Sequence, residues 1–259
     1  MDRKLALFSA CNISAKFPGI PRRSFRKDLV HLGANEQLGD GFYKSKTLDH
    51  PKRKNANVFD RGHIISRQYP QWGKTAAIAK KGTDDSFYYP NAAPQVPEVN
   101  QLDWKDLELF IIDELSVKKL SVLSGLFLSN KDPIATYIDS YTQKEEYIQI
   151  PLKFWKIVYY NYENQLKRIA FVFKQDEIVY SLPFITKIEQ LKNSIDPFDF
   201  LPEDLKTYIV NPLLIEETKL KFTPAKNYFD SQAFKWEVDI KDISKNLIEF
   251  DKASLGNYL

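Results

Sequence analysis

The sequence predicts an α+β protein in which a mixed, mostly antiparallel central sheet is flanked by helices. Several short segments are rich in β-branched and aromatic residues, which favours strands, and turn signals separate them. Another segment repeats apolar residues at three- and four-residue steps, which is typical of an amphipathic helix. With 259 residues, 43% of them hydrophobic, the chain can bury the core of a single domain over residues 1–259.

The N-terminal third is expected to consist mainly of strands and loops. LALFSACNI, residues 5–13, is predicted to be a strand, because its apolar part is shorter than the roughly 7 to 15 residues of an export signal. Residues 44–57 are polar and basic and predict an exposed loop. Residues 58–66 resemble an apolar strand, and residues 74–86 suit a short helix or an insertion with a break at Gly82.

The central part of the chain combines a proline-rich loop, a helix and strands. Residues 87–101 contain three prolines and are expected to form a shaped loop rather than a continuous helix or a central strand. An amphipathic helix is predicted over residues 101–117, and a C-terminal extension, residues 201–259, is expected to pack on the same domain. Further predicted elements are strands at 118–129, 151–160 and 168–174, a turn at 161–167 and a helix near 185–191.

The lone cysteine and the apolar segments exclude several classes of protein. Cys11 is the single cysteine, which rules out an internal disulfide and any multi-cysteine zinc or iron–sulfur site. No apolar stretch approaches the roughly 18 residues of a membrane-spanning helix, so no membrane partner is expected. No export signal is visible either. The compartment stays open: the protein would be secreted or periplasmic if an N-terminal segment is missing, and otherwise cytoplasmic.

Charge is distributed unevenly along the chain. Residues 1–83 hold 17 Lys and Arg against 6 Asp and Glu, a net charge of +11, whereas the remainder holds 20 against 28, a net charge of −8. Basic residues that neutralise phosphates release counterions, so this third could bind a polyanion without reading its sequence; ordinary solvated surface is the alternative. The candidates for such contacts are Arg22, Arg23, Arg26, Lys27, Lys52, Arg53, Lys54 and Arg67.

The DRGH sequence at residues 60–63 places two chemically active side chains together. If this segment is a strand, Arg61 and His63 project from the same face. Gly62 between them removes bulk on the opposite face, which indicates a close approach, a bend or a bulge. Phosphodiester hydrolysis requires a base and a cation, and histidine and arginine suit these two tasks. A structural role for the histidine is the alternative.

A second group of polar residues lies about forty residues later. Asn100, Trp104 and Glu108 follow one another at four-residue steps, and they would therefore drift along one stripe of a helix. The side-chain oxygens of Asn100 and Glu108 suit Mg²⁺, which keeps several of its own waters. Alternatively, Asn100 caps the helix and Glu108 is solvated.

Together these segments resemble a known family. DRGH, followed by NAAPQVPEVNQ at 91–101 and WKDLE at 104–108, is similar to the DNA/RNA non-specific endonucleases, endonuclease G-like members of the ββα-metal or His-Me finger superfamily. LALFSACNI, YPQWG and PLKFWKIVYY also resemble segments of that family, and the similarity extends over about residues 5–200. The stretch between the DRGH sequence and Asn91 is longer than is common in the family.

The resemblance implies a fold with a ββα-metal motif and a role for each matching residue. His63 would be the general base, Asn100 the direct ligand of a single Mg²⁺, and Glu108 a ligand through water. Asn91 would orient groups around the scissile phosphate, and Arg61 would stabilise charge in the transition state. Supporting positions are Asp60, Gly62 and Trp104.

The function implied by the resemblance is Mg²⁺-dependent hydrolysis of phosphodiester bonds in DNA and RNA, with Mn²⁺ or another divalent cation as an alternative cofactor. An active non-specific nuclease would damage the genome of its own cell, so export or an inhibitor protein as a partner is also expected. Two other functions stay open. One is a phosphodiesterase for nucleotides or other small diesters, and the other is an inactive module that binds nucleic acid.

Overall fold

The structure is a computed structural model that describes residues 4–14, 19–20, 38–115, 120–162, 165–188, 207–210, 212–215 and 248–249. In chain order, its first elements are β1 (Phe8–Ile13), α1 (Asp40–Tyr43), β2 (Asp60–His63), α2 (Ala76–Asp85), β3 (Ala92–Gln95), α3 (Pro97–Asn100) and α4 (Asp103–Phe110). They are followed by β4 (Leu120–Phe127), β5 (Ile134–Ile138), β6 (Glu145–Gln149), β7 (Lys153–Tyr162), β8 (Gln165–Lys174), α5 (Asp176–Ser181), β9 (Ile185–Thr186), β10 (Thr207–Val210), α6 (Pro212–Ile215) and β11 (Ile248–Glu249). Short 3-10 turns lie at Lys46–Leu48 and Tyr89–Asn91, and α4 continues as a π-helix over Ile111–Leu115.

A six-stranded sheet in the order β1-β4-β7-β8-β10-β11 forms the centre of the fold. Every strand pair described in it is antiparallel, which confirms the predicted α+β class. Side chains alternate along the long central strands, so the sheet has an apolar layer on each face. On β7, Phe154 and Val158 belong to the larger core, whereas Trp155 and Ile157 belong to a smaller one.

A separate two-stranded ribbon carries the DRGH sequence. β2 and β3 pair antiparallel, and α3 and α4 follow β3 directly, so these elements form a ββα unit. Its apolar residues, among them Val99 and Leu107, pack into the larger core. The ββα unit therefore packs on the central sheet through the same core that contains Phe154 and Val158. A third sheet, in the order β6-β5-β9, completes the described strands.

Four predicted strands agree with the structure. The N-terminal segment forms β1, at one edge of the sheet. The strands expected at 118–129, 151–160 and 168–174 are β4, β7 and β8, although β7 and β8 extend into the segment expected to be a turn. No helix in the described parts of the chain is both long and apolar enough to cross a membrane.

Other predicted elements are wrong in extent or in kind. The strand expected at 58–66 is shortened to the four residues of β2. α2 continues through Gly82, since a glycine within a helix is tolerated at modest cost. Pro70 packs where a Cβ atom at this position would lie, so the site suits a glycine. The helix expected from residue 101 begins at Asp103, since α3 and a turn precede it.

The proline-rich segment is not entirely a loop. It contains β3, in which Pro94 stands opposite Arg61. A proline is tolerated here because a strand of a two-stranded ribbon needs its backbone amides on one side alone. The helix expected near 185–191 is also wrong at its start, where β9 pairs with β5. Its remaining residues from 189 onward lie outside the described residues.

Candidate active site

The ribbon register places the four DRGH residues opposite four residues of β3. Asp60 pairs with Gln95, Arg61 with Pro94, Gly62 with Ala93, and His63 with Ala92. A Cβ atom on Gly62 would overlap the side chain of Gln95, which is itself 1% exposed. The close approach predicted at Gly62 is therefore present, and a glutamine side chain occupies the space.

Arg61 is held by an acidic residue and two tyrosines. Its Nη2 lies 3.2 Å from Asp40 Oδ1, and its Nε donates to the Tyr89 hydroxyl at 3.3 Å. The guanidinium also lies over the ring of Tyr43, 5.1 Å from the ring centroid. The side chain is nevertheless 30% exposed, so the guanidinium is both oriented and accessible from solution.

Asp40 is the centre of this cluster. Its carboxylate accepts hydrogen bonds from the hydroxyls of Tyr89 and Tyr141 and forms an ion pair of 2.5 Å with Lys44. Burial by itself would raise the pKa of Asp40, but hydrogen bonds from Lys44 and Tyr141 and the charges of Arg61 and Lys44 hold that pKa below its usual value. Asp40 therefore stays ionised and keeps Arg61 in place.

Asp60 connects the ribbon to the following helices. Its Oδ2 accepts hydrogen bonds from Asn100 Nδ2 at 3.0 Å and from Gln101 Nε2 at 2.7 Å. Its Oδ1 lies 3.8 Å from Arg53 Nη2. The DRGH strand and the expected metal ligand are thus joined by a direct side-chain hydrogen bond.

The backbone after His63 is held by Asn91. The backbone amide of Ile64 donates to the carbonyl of Asn91 at 2.9 Å, and the amide of Ile65 donates to Asn91 Oδ1 at 3.0 Å. Asn91 Nδ2 donates to the carbonyls of Ile65 and Ser86, both at 2.9 Å. The half-buried ring of His63 packs edge-on against Phe87, with centroids 5.0 Å apart. Asn91 therefore positions the strand end that carries the imidazole.

Glu108 faces a buried lysine. Lys156 Nζ lies 3.4 Å from Glu108 Oε1, and the two side chains are 0% and 17% exposed. Burial raises the pKa of Glu108, and the charge of Lys156 and a hydrogen bond from Ser66 oppose that rise. Burial also lowers the pKa of Lys156, and the charge of Glu108 opposes that change. Each ion thus favours the charged form of the other.

Comparison with known proteins assigns this arrangement to a family. The family model described as DNA/RNA non-specific endonuclease matches residues 1–208. The chain belongs to the DNA/RNA non-specific endonuclease family. The expected resemblance is therefore confirmed.

Individual proteins are similar to this chain over parts of their length. An uncharacterized protein of Sinorhizobium fredii, y4fB, is 30% identical over 193 residues, which is 70% of this chain and 26% of that protein. Human mitochondrial endonuclease G is 31% identical over a segment that makes up 39% of this chain and 33% of the human protein. Bovine mitochondrial endonuclease G is 26% identical over 52% of this chain and 46% of the bovine protein. The chain thus spans between about a quarter and a half of the length of these relatives. A chain in a crystal structure of the EndoG/EndoGI complex is similar over 84% of this chain and 77% of the matched chain, with 15% identity and a TM-score of 0.43.

The oxygen donors near the DRGH strand suit a hydrated divalent cation. Asp60 binds the amide nitrogen of Asn100, which leaves the amide oxygen at the other end of the group for coordination. Among the residues that the structure describes, no group of three His, Cys, Asp or Glu side chains could hold a metal ion. A cation here would take few protein oxygens, and Mg²⁺, which retains several waters, fits such a site.

The basic residues expected to contact nucleic acid differ in placement. Lys52 and Lys54 are exposed, whereas Arg53 is half-buried and donates to the carbonyl of Asn57 at 3.1 Å. Arg67 is close enough to Glu108 for its charge to lower the carboxyl pKa. Arg22, Arg23, Arg26 and Lys27 lie outside the described residues.

A polar cavity adjoins Arg61. It measures about 530 Å³, and both basic and acidic side chains line it. Its lining residues are Tyr43, Lys44, Lys46, Asp49, Asn55, Ala56, Asn57, Phe59, Asp60 and Arg61. Lys44 and Lys46 thereby join the basic residues near the DRGH strand, although the sequence analysis did not select them.

Asp40 and Lys156 were also missed by the sequence analysis. Asp40 precedes Arg61 by 21 positions, and no local pattern links them. Lys156 could have been found, because it interrupts the apolar run FWKIV in a predicted strand. A charged residue within a buried strand requires a buried partner, and that requirement would have pointed to an acidic residue such as Glu108.

Proposed function

We propose that this domain is a Mg²⁺-dependent endonuclease that hydrolyses phosphodiester bonds of both DNA and RNA. The observation that carries the proposal is the hydrogen bond between Asp60 and Asn100. It joins the strand of the proposed base, His63, to the residue proposed to bind the cation. Family membership supports the same conclusion, since the matched residues include every position proposed to act.

In the proposed reaction His63 is the general base. Its imidazole accepts a proton from the attacking water, whose oxygen forms a new bond to phosphorus while the bond to the leaving sugar oxygen breaks. The leaving oxygen takes a proton from solvent. Asn91 contributes by holding the backbone at residues 64 and 65, and thus the direction in which His63 projects.

Arg61 stabilises the charge that develops on the phosphate. Its guanidinium provides several N–H donors in a planar fork, a geometry that matches phosphate oxygens. Asp40 and Tyr89 occupy part of that fork and fix its orientation before substrate arrives. Such preorganised charge stabilises a transition state without the cost of reorientation during the reaction.

Asn100 and Glu108 would hold Mg²⁺, Asn100 directly and Glu108 through water. When bound, Mg²⁺ neutralises phosphate oxygens and stabilises charge at the leaving oxygen. Asp60 orients the amide of Asn100, and Lys156 favours the ionised form of Glu108. Neither role depends on base or sugar identity, which is consistent with a non-specific nuclease.

The proposal is tested by digestion of plasmid DNA and total RNA with and without EDTA. The wild-type protein should degrade both polymers in Mg²⁺ and neither in EDTA, and His63→Ala should abolish cleavage while its circular dichroism is unchanged. His50→Ala is a matched control, because His50 lies in a loop where its ring accepts hydrogen bonds from the backbone amides of Lys52 and Arg53. Full activity of His63→Ala would refute the assigned base. Hydrolysis of a small diester alone would favour a phosphodiesterase instead.

A further inference from the structure

A lysine is buried in the middle of the central sheet. Lys156 lies on β7, between Phe154 and Val158 on the face that contributes to the larger core, and its side chain is 0% exposed. Its register neighbours are Ser124 on β4 and Phe171 on β8. Burying an ammonium group is costly unless partners compensate it. Its contacts are therefore informative about why a lysine stands there.

The ammonium group connects two parts of the ββα unit. Its Nζ lies 3.4 Å from Glu108 Oε1 on α4 and 3.5 Å from the carbonyl oxygen of Ile64, which directly follows His63. The rings of Trp104 and Tyr69 flank it, with centroids 4.6 and 5.2 Å from Nζ. Aromatic faces attract a cation and exclude water from it. The lysine thus lies between the strand end of the base and the helix of Glu108.

Glu108 is also held from the segment that follows His63. Ser66 hydrogen-bonds the carboxylate, and Arg67 is near enough to affect it electrostatically. A glutamate side chain has three rotatable bonds, so several fixed partners are needed to hold it in one orientation. The Glu108 side chain as a whole is nevertheless 17% exposed, whereas that of Lys156 is 0% exposed.

We infer that Lys156 is a positioning residue that fixes the Glu108 carboxylate relative to the strand carrying His63. The inference rests on the proposed function, in which Glu108 takes part in holding the cation. Lys156 itself lies behind Glu108 in the core and does not reach the substrate. Its charge matters because it fixes the carboxylate at the distance and orientation that the cation requires.

A lysine with a purely structural role would have a different signature. It would support the fold, and its replacement would reduce activity independently of Glu108. If Lys156 acts through Glu108, its replacement should cause no additional loss of activity once Glu108 has been changed. A double-mutant cycle separates these cases, because the effects of coupled residues are not additive.

The experiment compares Lys156→Met, Glu108→Gln and the double variant with the wild-type protein. Methionine retains the length of the lysine side chain and suits the aromatic surroundings. Lys81→Met is the matched control, because Lys81 forms an ion pair of 2.5 Å with Asp85 on the surface of α2, where it is 75% exposed. Cleavage rate is measured across a Mg²⁺ series. Mg²⁺ binding without nucleic acid is measured in parallel by calorimetry.

Lys156→Met is expected to weaken Mg²⁺ binding and to reduce cleavage at saturating Mg²⁺ by about tenfold to a hundredfold, since small displacements of catalytic groups have effects of this size. The double variant should cleave at the rate of Glu108→Gln. Lys81→Met should behave like the wild-type protein in both measurements. Multiplied losses in the double variant, or unchanged Mg²⁺ binding by Lys156→Met, would overturn the inference.

The double variant also keeps the test valid if Lys156→Met does not fold, because it leaves no unpaired charge in the core. The cleavage rate of the double variant is then compared with that of Glu108→Gln, and a lower rate in the double variant overturns the inference. Failure of the proposed function would be recognised separately. In that case the wild-type protein would cleave neither polymer, and no cycle of rates could be built.

Discussion

Gly62→Ala is expected to destabilise the protein, because an added methyl group would overlap the side chain of Gln95. Gln95 is 1% exposed and belongs to β3, so its side chain cannot move into solvent without opening the ribbon. Overpacking of a well-packed core costs about 1–3 kcal/mol. Loss of glycine flexibility in the unfolded chain offsets about 0.4–1 kcal/mol of this. The net decrease in the free energy of unfolding should therefore be about 1–2 kcal/mol.

The measurement is urea unfolding of the wild-type protein, Gly62→Ala, Gln95→Ala and the double variant. Shortening Gln95 removes the atoms that the new methyl group would meet. The decreases in the free energy of unfolding of Gly62→Ala and Gln95→Ala should therefore sum to more than the decrease in the double variant. The difference, which is the coupling free energy, should be about 1 kcal/mol. In thermal unfolding, each kcal/mol should appear as a shift of about 2–4 °C for a chain of this size. Additive losses, or a Gly62→Ala variant as stable as the wild-type protein, would refute the close approach.

Three further predictions concern the same unit. Asn91→Ala should lower the free energy of unfolding by about 1–3 kcal/mol in urea, because it leaves the backbone groups of Ile65 without their side-chain partner. An unchanged urea midpoint would contradict this stabilising role of the Asn91 side chain. Asp40 has a lowered pKa, so its ionised form stabilises the fold above the ordinary value of 3.8, and this contribution is lost as the pH falls through the lower folded-state pKa. Thermal unfolding between about pH 2 and 6 should therefore show a smaller acid-dependent loss of stability in Asp40→Asn, and identical profiles would exclude the role of that carboxylate. Mg²⁺ at about ten times its dissociation constant should stabilise the wild-type protein by about 1.4 kcal/mol. Asn100→Ala should abolish this shift in a thermal melt, and an equal shift in both proteins would place the cation elsewhere.

Local sequence patterns predicted the parts of the site that lie on single elements. Strand periodicity correctly assigned the DRGH residues to a strand, and the apolar spacing after Asn100 correctly indicated a helix. The three prolines of residues 87–101 wrongly favoured a loop throughout this segment, because the low strand propensity of proline is an average over many strands. In a two-stranded ribbon, Pro94 can pair without a second neighbouring strand.

Contacts between distant segments could not be predicted in the same way. Asp40 and Arg61 meet across 21 positions, and Glu108 and Lys156 across 48. Gln95 reaches Gly62 from the opposite strand of the ribbon. Each of these pairings depends on the register of strands and on how the ribbon packs against the sheet, neither of which is encoded in the spacing of residues along one element.

The amino-acid sequence by itself determined the family, the α+β class and the identity of the residues proposed to act, because a short motif specifies which chemical groups are present. The tertiary structure alone decided which partners orient them. Asp40 holds Arg61, Asp60 holds Asn100, and Lys156 faces Glu108. The physical reason is that hydrogen bonds and ion pairs act over a few ångströms, and only packing brings distant parts of the chain within that range.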